Sequence, residues 1–177
     1  MRPNPDQDAR YLDAAATYGA AMQRLARASE ANAERRRDLL QDMHVALWRS
    51  LAAFDGRCSM RTWVYRVSHN VAASHIDRER RGRVGAAPIE DIEHLPDLRS
   101  LSADVEQSDA IEKLNALIRK LPAADRQVLT LYLEELDAAA IAEITGLTPG
   151  AVATRISRLK AHLAKSFHET APSESNV

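Results

Sequence analysis

The stretch from Asp137 to Val152 constrains this chain more than any other. Asp137 can cap a short helix running through Thr145, and Gly146 can end that helix in a left-handed turn. Thr148 can then cap a longer helix with Pro149 at its first position. Two helices joined by so short a turn must cross closely, and Ala142 is small where they would meet. Leu147, Val152 and Ile156 can lock the second helix to the first. Ala151, Thr154, Arg155, Ser157, Arg158 and Lys160 are then left on or near its outer faces. A helix that carries hydroxyls and guanidiniums outward from such a turn can enter a DNA major groove. The bland alternative is an ordinary helical hairpin. The capping signals and the Ala/Gly spacing favour DNA.

The rest of the chain reads as helix too. Tyr11, Ala15, Tyr18, Met22 and Leu25 recur at helical spacing, as do Leu39, Met43, Leu47, Leu51 and Phe54. Gly56 favours a turn. Ser59 can cap a third helix that carries Trp63, Val67 and Val71 on one face and ends near Gly82. Three helices with short connections predict one compact bundle over 1–82. Periodicity then fails, and Gly85, Pro88 and Pro96 fall among scattered acids, so 83–106 is expected to be a flexible acidic linker. A second small helical domain is expected over 107–168, followed by a polar tail over 169–177. Its first stripe is Ile111, Leu114, Ile118 and Leu121. Pro122 breaks that helix and opens the next, which carries Val128, Leu129, Tyr132 and Leu133. The expected fold class is therefore all-α, as two small helical domains.

Composition agrees: 45% of the 177 residues are apolar and only 6 are glycine. No apolar run is long enough to span a membrane, and no secretion signal precedes the first helix. With one cysteine, Cys58, no internal disulfide can form, which favours a reducing cytoplasm. The net charge of −1 looks wrong for a nucleic-acid binder, but it conceals a split. Residues 1–85 carry 15 Arg/Lys against 10 Asp/Glu, residues 86–110 one against seven, and residues 111–177 eight of each. A basic front, an acidic middle and a neutral back set quite different local fields.

Two further segments carry chemistry. Thr62 to Asn70, followed by His75 and the arginines from Arg78 to Arg83, interleaves aromatic and basic residues. Single-stranded DNA suits such a pattern, since bases stack on rings while cations follow phosphates. Trp63 at helical spacing is nevertheless core by default. The second segment is Asp38 to Trp48, where Asp38, Gln41 and Asp42 lie at i, i+3 and i+4 on one face, away from the apolar stripe. That face is either inert surface or a dock for a basic partner.

These blocks, in this order, resemble the extracytoplasmic-function sigma factors of the sigma-70 family, from about Tyr11 to Phe167. Asp38 to Trp48 looks like the family's polymerase-docking helix. Phe54 to Arg66 looks like its promoter-melting segment, and Leu121 to Glu134 with the helix-turn-helix looks like its region four. The resemblance implies a subunit that binds core RNA polymerase and directs promoter recognition and DNA melting. It implies that Asp38, Gln41 and Asp42 contact the polymerase clamp. The loop with Asp55, Arg57 and Ser59, together with Arg66, His69 and Asn70, would capture a flipped base of the minus-ten element. Arg61, Arg66 and Arg78 would hold the backbone there. Thr154, Arg155, Ser157, Arg158 and Lys160 would read the minus-thirty-five element. The expected partners are core RNA polymerase, promoter DNA and an anti-sigma factor, with no membrane insertion and no cofactor.

An enzyme reading finds little. Carboxylates are scattered, no nucleophile sits beside a matched histidine and acid, and the 6 histidines and single cysteine show no zinc spacing. Cys58 reads as a small inert thiol rather than a redox sensor. The serious rival is a stand-alone helix-turn-helix regulator whose front bundle senses a ligand or dimerises. The aromatic-basic third helix argues against it, because a dimerisation bundle has no need of that segment. A pure interaction protein would need neither DNA surface.

Overall fold

Seven α-helices and one short 3-10 turn make up the described residues, 5–83 and 103–170 of a computed structural model, with side chains described over 6–82 and 108–165. Among these residues there is no strand. In chain order the helices are α1 (Pro5–Ser29), α2 (Ala33–Ser50), α3 (Met60–Arg83), α4 (Ala103–Lys120), α5 (Ala123–Leu133), α6 (Ala138–Thr145) and α7 (Pro149–Thr170). The 3-10 turn Leu51–Ala53 follows α2. No helix among the described residues is long and apolar enough to cross a membrane. Helix α4 already occupies the last positions of the segment expected to be a linker. Residues 84–102 lie outside the described residues, as do 171–177 of the tail.

The front bundle is α1 to α3. Asn32 opens α2 by accepting from the amides of Glu34 and Arg35, each at 3.0 Å. Leu39, Met43, Leu47 and Leu51 then fall on one face and are buried with Met22, Leu25 and Val64. Each such side chain stabilises the bundle by about 1.5–3 kcal/mol relative to leaving it in water. Helix α3 corrects the sequence reading. Trp63, Val67 and Val71 are only half-buried at the side of the core, whereas Val64, Ser68 and Ala72 are the deep positions. Tyr65 and His69 face a different direction and are buried as well. So α3 is covered on two sides, and a single apolar stripe does not describe it.

The back domain is α4 to α7. Pro122 ends α4 and leads into α5. Arg126 satisfies the carbonyls this break leaves open. Its guanidinium donates to the backbone oxygens of Arg119 and of Leu121, the latter at 3.2 Å. Val128, Leu129, Leu131, Ile141 and Val152 complete a core in which each is at most 1% exposed. That core does not stop at the domain boundary. Ala21 and Ala28 of α1 and Tyr65 of α3 belong to it, packed with Ile118 and its neighbours.

Candidate polymerase and nucleic-acid interfaces

Asp38, Gln41 and Asp42 are all exposed on α2, opposite the buried Leu39, Met43 and Leu47. What lies N-terminal to them is tied down rather than free. Arg35 reaches Glu79 of α3 at 3.0 Å and Glu30 at the end of α1 at 3.4 Å. His75 completes the knot, 2.9 Å from Glu30. Burial alone would raise the Glu30 carboxyl. His75, the amide of Asn32 and the Arg35 guanidinium outweigh that and hold it below the usual carboxylate range. Glu30, His75 and Glu79 bring three ligand-type atoms together. Arg35 already supplies the positive charge there, so the cluster acts as an ion-pair network pinning three helices. Nearby, Arg78 approaches Asp42 at 3.8 Å, with both side chains largely in water, where such pairs stabilise little.

The loop before α3 is built from local bonds. Gly56 takes φ +77, a left-handed conformation that a Cβ would strain. Asp55 accepts from the amide of Arg57 at 3.1 Å and pairs with its guanidinium at 2.9 Å. Ser59 caps α3, its Oγ accepting from the amide of Thr62 at 3.0 Å. Trp63 donates to the Ser50 hydroxyl at 2.9 Å and meets Phe54 edge-on. That leaves Trp63 fixing the loop against the bundle, as the core reading expects. Asp55, Arg57, Ser59, Arg61, Asn70 and Arg78 are exposed, Arg66 is half-buried, and His69 is 3% exposed.

The helix-turn-helix forms as its punctuation requires. Asp137 accepts from the amide of Ala140 at 2.8 Å, Gly146 ends α6 at φ +76, and Thr148 accepts from the amide of Ala151 at 3.2 Å. Val152 and Leu159 turn inward, and Ala142 is buried between the helices. Thr154, Ser157, Arg158 and Lys160 stand in solvent, and Arg155 is half-buried. Sequence reasoning missed what holds these cations. Asp125 on α5 accepts from Arg155 at 2.8 Å and from Arg158 at 3.3 Å, on the same oxygen. Lys160 donates to the Tyr132 hydroxyl at 3.2 Å. An acid in the first turn of α5 is expected on dipole grounds, but nothing along the sequence couples it to positions thirty residues on.

A second group was also missed. Glu134, at the end of α5, takes a bidentate contact from Arg24 of α1 at 2.6 and 2.7 Å. Tyr65 donates to the same carboxylate at 3.2 Å, and Arg61 donates to the Glu134 backbone oxygen at 2.8 Å. Burial opposes the Glu134 charge, but Arg24 and Tyr65 more than offset it and hold the carboxyl below its ordinary value. Beside it Arg66 donates to the backbone oxygen of Glu143 on α6 at 3.0 Å. The structure thus gathers Arg61, Arg66 and His69 on the face of α3 that meets the back domain. Asp55, Arg57 and Asn70 stay in solvent.

A front bundle with an exposed acidic-polar helix face and an aromatic-basic third helix, followed by a helix-turn-helix, fits a class: a DNA-directing subunit with two binding modules. Comparison with known proteins gives the same division. Residues 15–82 match the model of Sigma-70 region 2, and residues 111–163 match Sigma-70, region 4. The chain is 28% identical over 172 residues to the ECF RNA polymerase sigma factor SigW of Bacillus subtilis, covering 93% of this chain and 91% of that protein. It is 30% identical over 146 residues to the ECF RNA polymerase sigma factor SigM of Mycobacterium tuberculosis, covering 81% and 70%. The fold is shared with CnrH, solved in complex with the cytosolic domain of CnrY, at TM-score 0.66 and 22% identity over 91% of this chain and 89% of that one. The chain belongs to the ECF-type sigma factors of the sigma-70 family: it binds RNA polymerase and DNA, directs promoter recognition, and catalyses nothing itself.

Proposed function

We propose the following division of labour within this sigma factor. Asp38, Gln41 and Asp42 dock core RNA polymerase. The loop of Asp55, Arg57 and Ser59 captures an unstacked minus-ten base together with Asn70, His69 and Arg66. Arg61, Arg66 and Arg78 grip the backbone. Thr154, Arg155, Ser157, Arg158 and Lys160 engage the minus-thirty-five element. The working units are 1–82 and 107–168, joined through 83–106. The protein acts in the cytoplasm, where polymerase and promoters are, and a separate anti-sigma protein restrains it.

The observation that carries the docking reading is the exposure of Asp38, Gln41 and Asp42 as one patch over a tightly buried stripe. Charges so placed contribute little to folding, so their chemistry is available to a basic partner. Asn70 is exposed on α3 just past the aromatic-basic run, as a residue reading an extruded base would be. Binding must supply the melting energy, since the chain carries no Gly-rich loop followed by Lys and Ser/Thr for a nucleotide phosphate. An inhibitory partner is supported by CnrH, a protein of the same fold, having been solved with the cytosolic domain of CnrY. Pull-down from unstressed cells tests that part, and recovery of core polymerase alone counts against it.

The deciding experiment is charge reversal. Asp38→Arg with Asp42→Arg abolishes pull-down of core polymerase while circular dichroism stays unchanged. Normal pull-down by a folded variant rejects the docking face.

A further inference from the structure

One small crevice lies where three helices meet: α1 and α3 of the front bundle and α5 of the back domain. It holds about 10 Å³, room for a single water-sized sphere. Ser29, the last residue of α1, and Arg126 of α5 both line it, and each is 8% exposed. Neither is fully satisfied. The Ser29 hydroxyl and the Arg126 Nε–H are buried groups with no hydrogen-bond partner. Leaving such groups unpaired is costly, and more so for a charged one.

The charge of Arg126 is uncompensated as well. Its other donors go to the uncharged backbone oxygens of Arg119 and Leu121. Burial and, less strongly, the nearby Arg119 guanidinium both hold its pKa below the ordinary arginine value. Among the described residues no carboxylate lines the crevice. The acids of α5 and its end are spent elsewhere: Asp125 on Arg155 and Arg158, Glu134 on Arg24 and Tyr65. Ala123, the first residue of α5, lies in the same lining, and Pro122 before it gives no side-chain cap. The amino end of a helix carries partial positive charge and favours an anion. Water would satisfy the two orphaned groups but would bring no charge. An anion supplies both.

We propose that the crevice is a monatomic-anion site: one chloride ion, accepting from the Arg126 Nε–H and the Ser29 hydroxyl, sits at the junction of α1, α3 and α5. The space suits a single-atom ion and excludes sulfate or phosphate. Neither Ser29 nor Arg126 is assigned to polymerase or to promoter DNA, so the site is a separate one. Its two donors come from different domains. The ion is therefore bound only by the packed arrangement, and it stabilises that arrangement by mass action.

The test compares the free full-length chain in sodium chloride and in sodium gluconate of equal ionic strength. Chloride should raise the thermal midpoint by about 2–4 °C. The chloride NMR line should broaden when the protein is added. Ser29→Ala removes one donor and should weaken chloride about tenfold. Ala73→Leu fills the crevice without touching a charge and should abolish both signals. Reading the chloride increment within each variant separates loss of the ion from loss of stability. Small-angle scattering of the same samples reports the packing, and chloride should leave the radius of gyration equal or smaller. A wild-type chain that gains nothing from chloride over gluconate overturns the site and leaves an ordered water in its place. Equal gains in the wild-type chain and both variants overturn it too, since the ion then acts at the general surface. So does a larger radius in chloride.

Discussion

Helices α3 and α7 carry similar side chains and meet opposite fates. Both are proposed to meet DNA, and both present arginines and hydroxyls from a capped helix. On α7 the residues proposed to face the groove are in solvent or half-buried, with Arg155 and Arg158 steadied by one carboxylate oxygen of Asp125. On α3 the corresponding cations bond to backbone oxygens of the other domain, Tyr65 joins its core, and His69 is buried against it. The lesson is physical. A helix-turn-helix reads duplex DNA whose grooves are already open, so an exposed reader costs nothing in the resting protein. A surface meant for unstacked bases is aromatic and partly apolar, and leaving it in water is unfavourable when another apolar face is at hand.

The largest effect that could break this comparison lies inside the back domain. Arg126 is buried, its donors close the end of α4, and desolvation holds its guanidinium below the ordinary arginine value. Arg126→Ala leaves those carbonyls without their guanidinium donor, and we expect a loss of about 2–4 kcal/mol. Urea unfolding should show the back domain melting early while the front bundle keeps its midpoint. Coincident loss of both domains would mean that the shared core around Tyr65 makes them one cooperative unit.

A smaller effect distinguishes the two arginines of α7. Arg158→Ala should cost about 1–3 kcal/mol of minus-thirty-five affinity and relax preference at one base pair, if its contact is bidentate. A uniform loss over all sequences makes it a phosphate contact instead. Asp125→Asn sharpens this, because it releases both guanidiniums. Weaker discrimination with unchanged or higher total affinity would show that Asp125 aims Arg158 rather than merely folding α5.

Acid should loosen the packing on the α3 side alone. Burial pushes His69 down to about 3 from its ordinary 6.5, with Glu134 pulling weakly the other way. Its neighbours in the interface are Tyr65 on α3 and Arg126, Gln127 and Thr130 on α5. A group whose pKa falls on packing stabilises the packed form fully above its free value. That contribution is lost progressively as pH drops from about 6.5 toward about 3. The scattering radius should therefore grow in mildly acidic buffer before helicity is lost, and Glu134 protonation adds to the trend only below the usual carboxylate range. A flat radius down to that range would remove His69 from the packing account.

The smallest effect concerns Glu135, the one non-glycine residue with positive φ among those described. Glu135→Gly should stabilise the back domain by up to about 1 kcal/mol, since glycine adopts that conformation without a Cβ penalty. Thermal unfolding checks the sign.

What was legible in the sequence was whatever is written in local chemistry. Asp137, Gly146 and Thr148 announced the helix-turn-helix because capping depends on residues three positions apart. Ser59 and Pro122 did the same for α3 and α5. The exposed trio on α2 followed from period alone. The deep face of α3 did not, because Ser68 and His69 are polar and the helix is buried on two sides, which defeats a single apolar stripe. The Arg24–Glu134 pair was invisible for another reason. Arg24 and Glu134 lie 110 positions apart, and each looks like ordinary surface charge where it stands. Only packing makes them partners.

The central proposal is that α3 meets promoter DNA, although Tyr65 and His69 are covered by the back domain in this structure. Hydroxyl-radical footprinting with mass spectrometry reads it directly at Tyr65 and His69. Both should be protected in the free protein and reactive in the polymerase holoenzyme before DNA is added, while Trp63, held in the front core, changes little. Equal reactivity of Tyr65 and His69 in the two states would contradict the account.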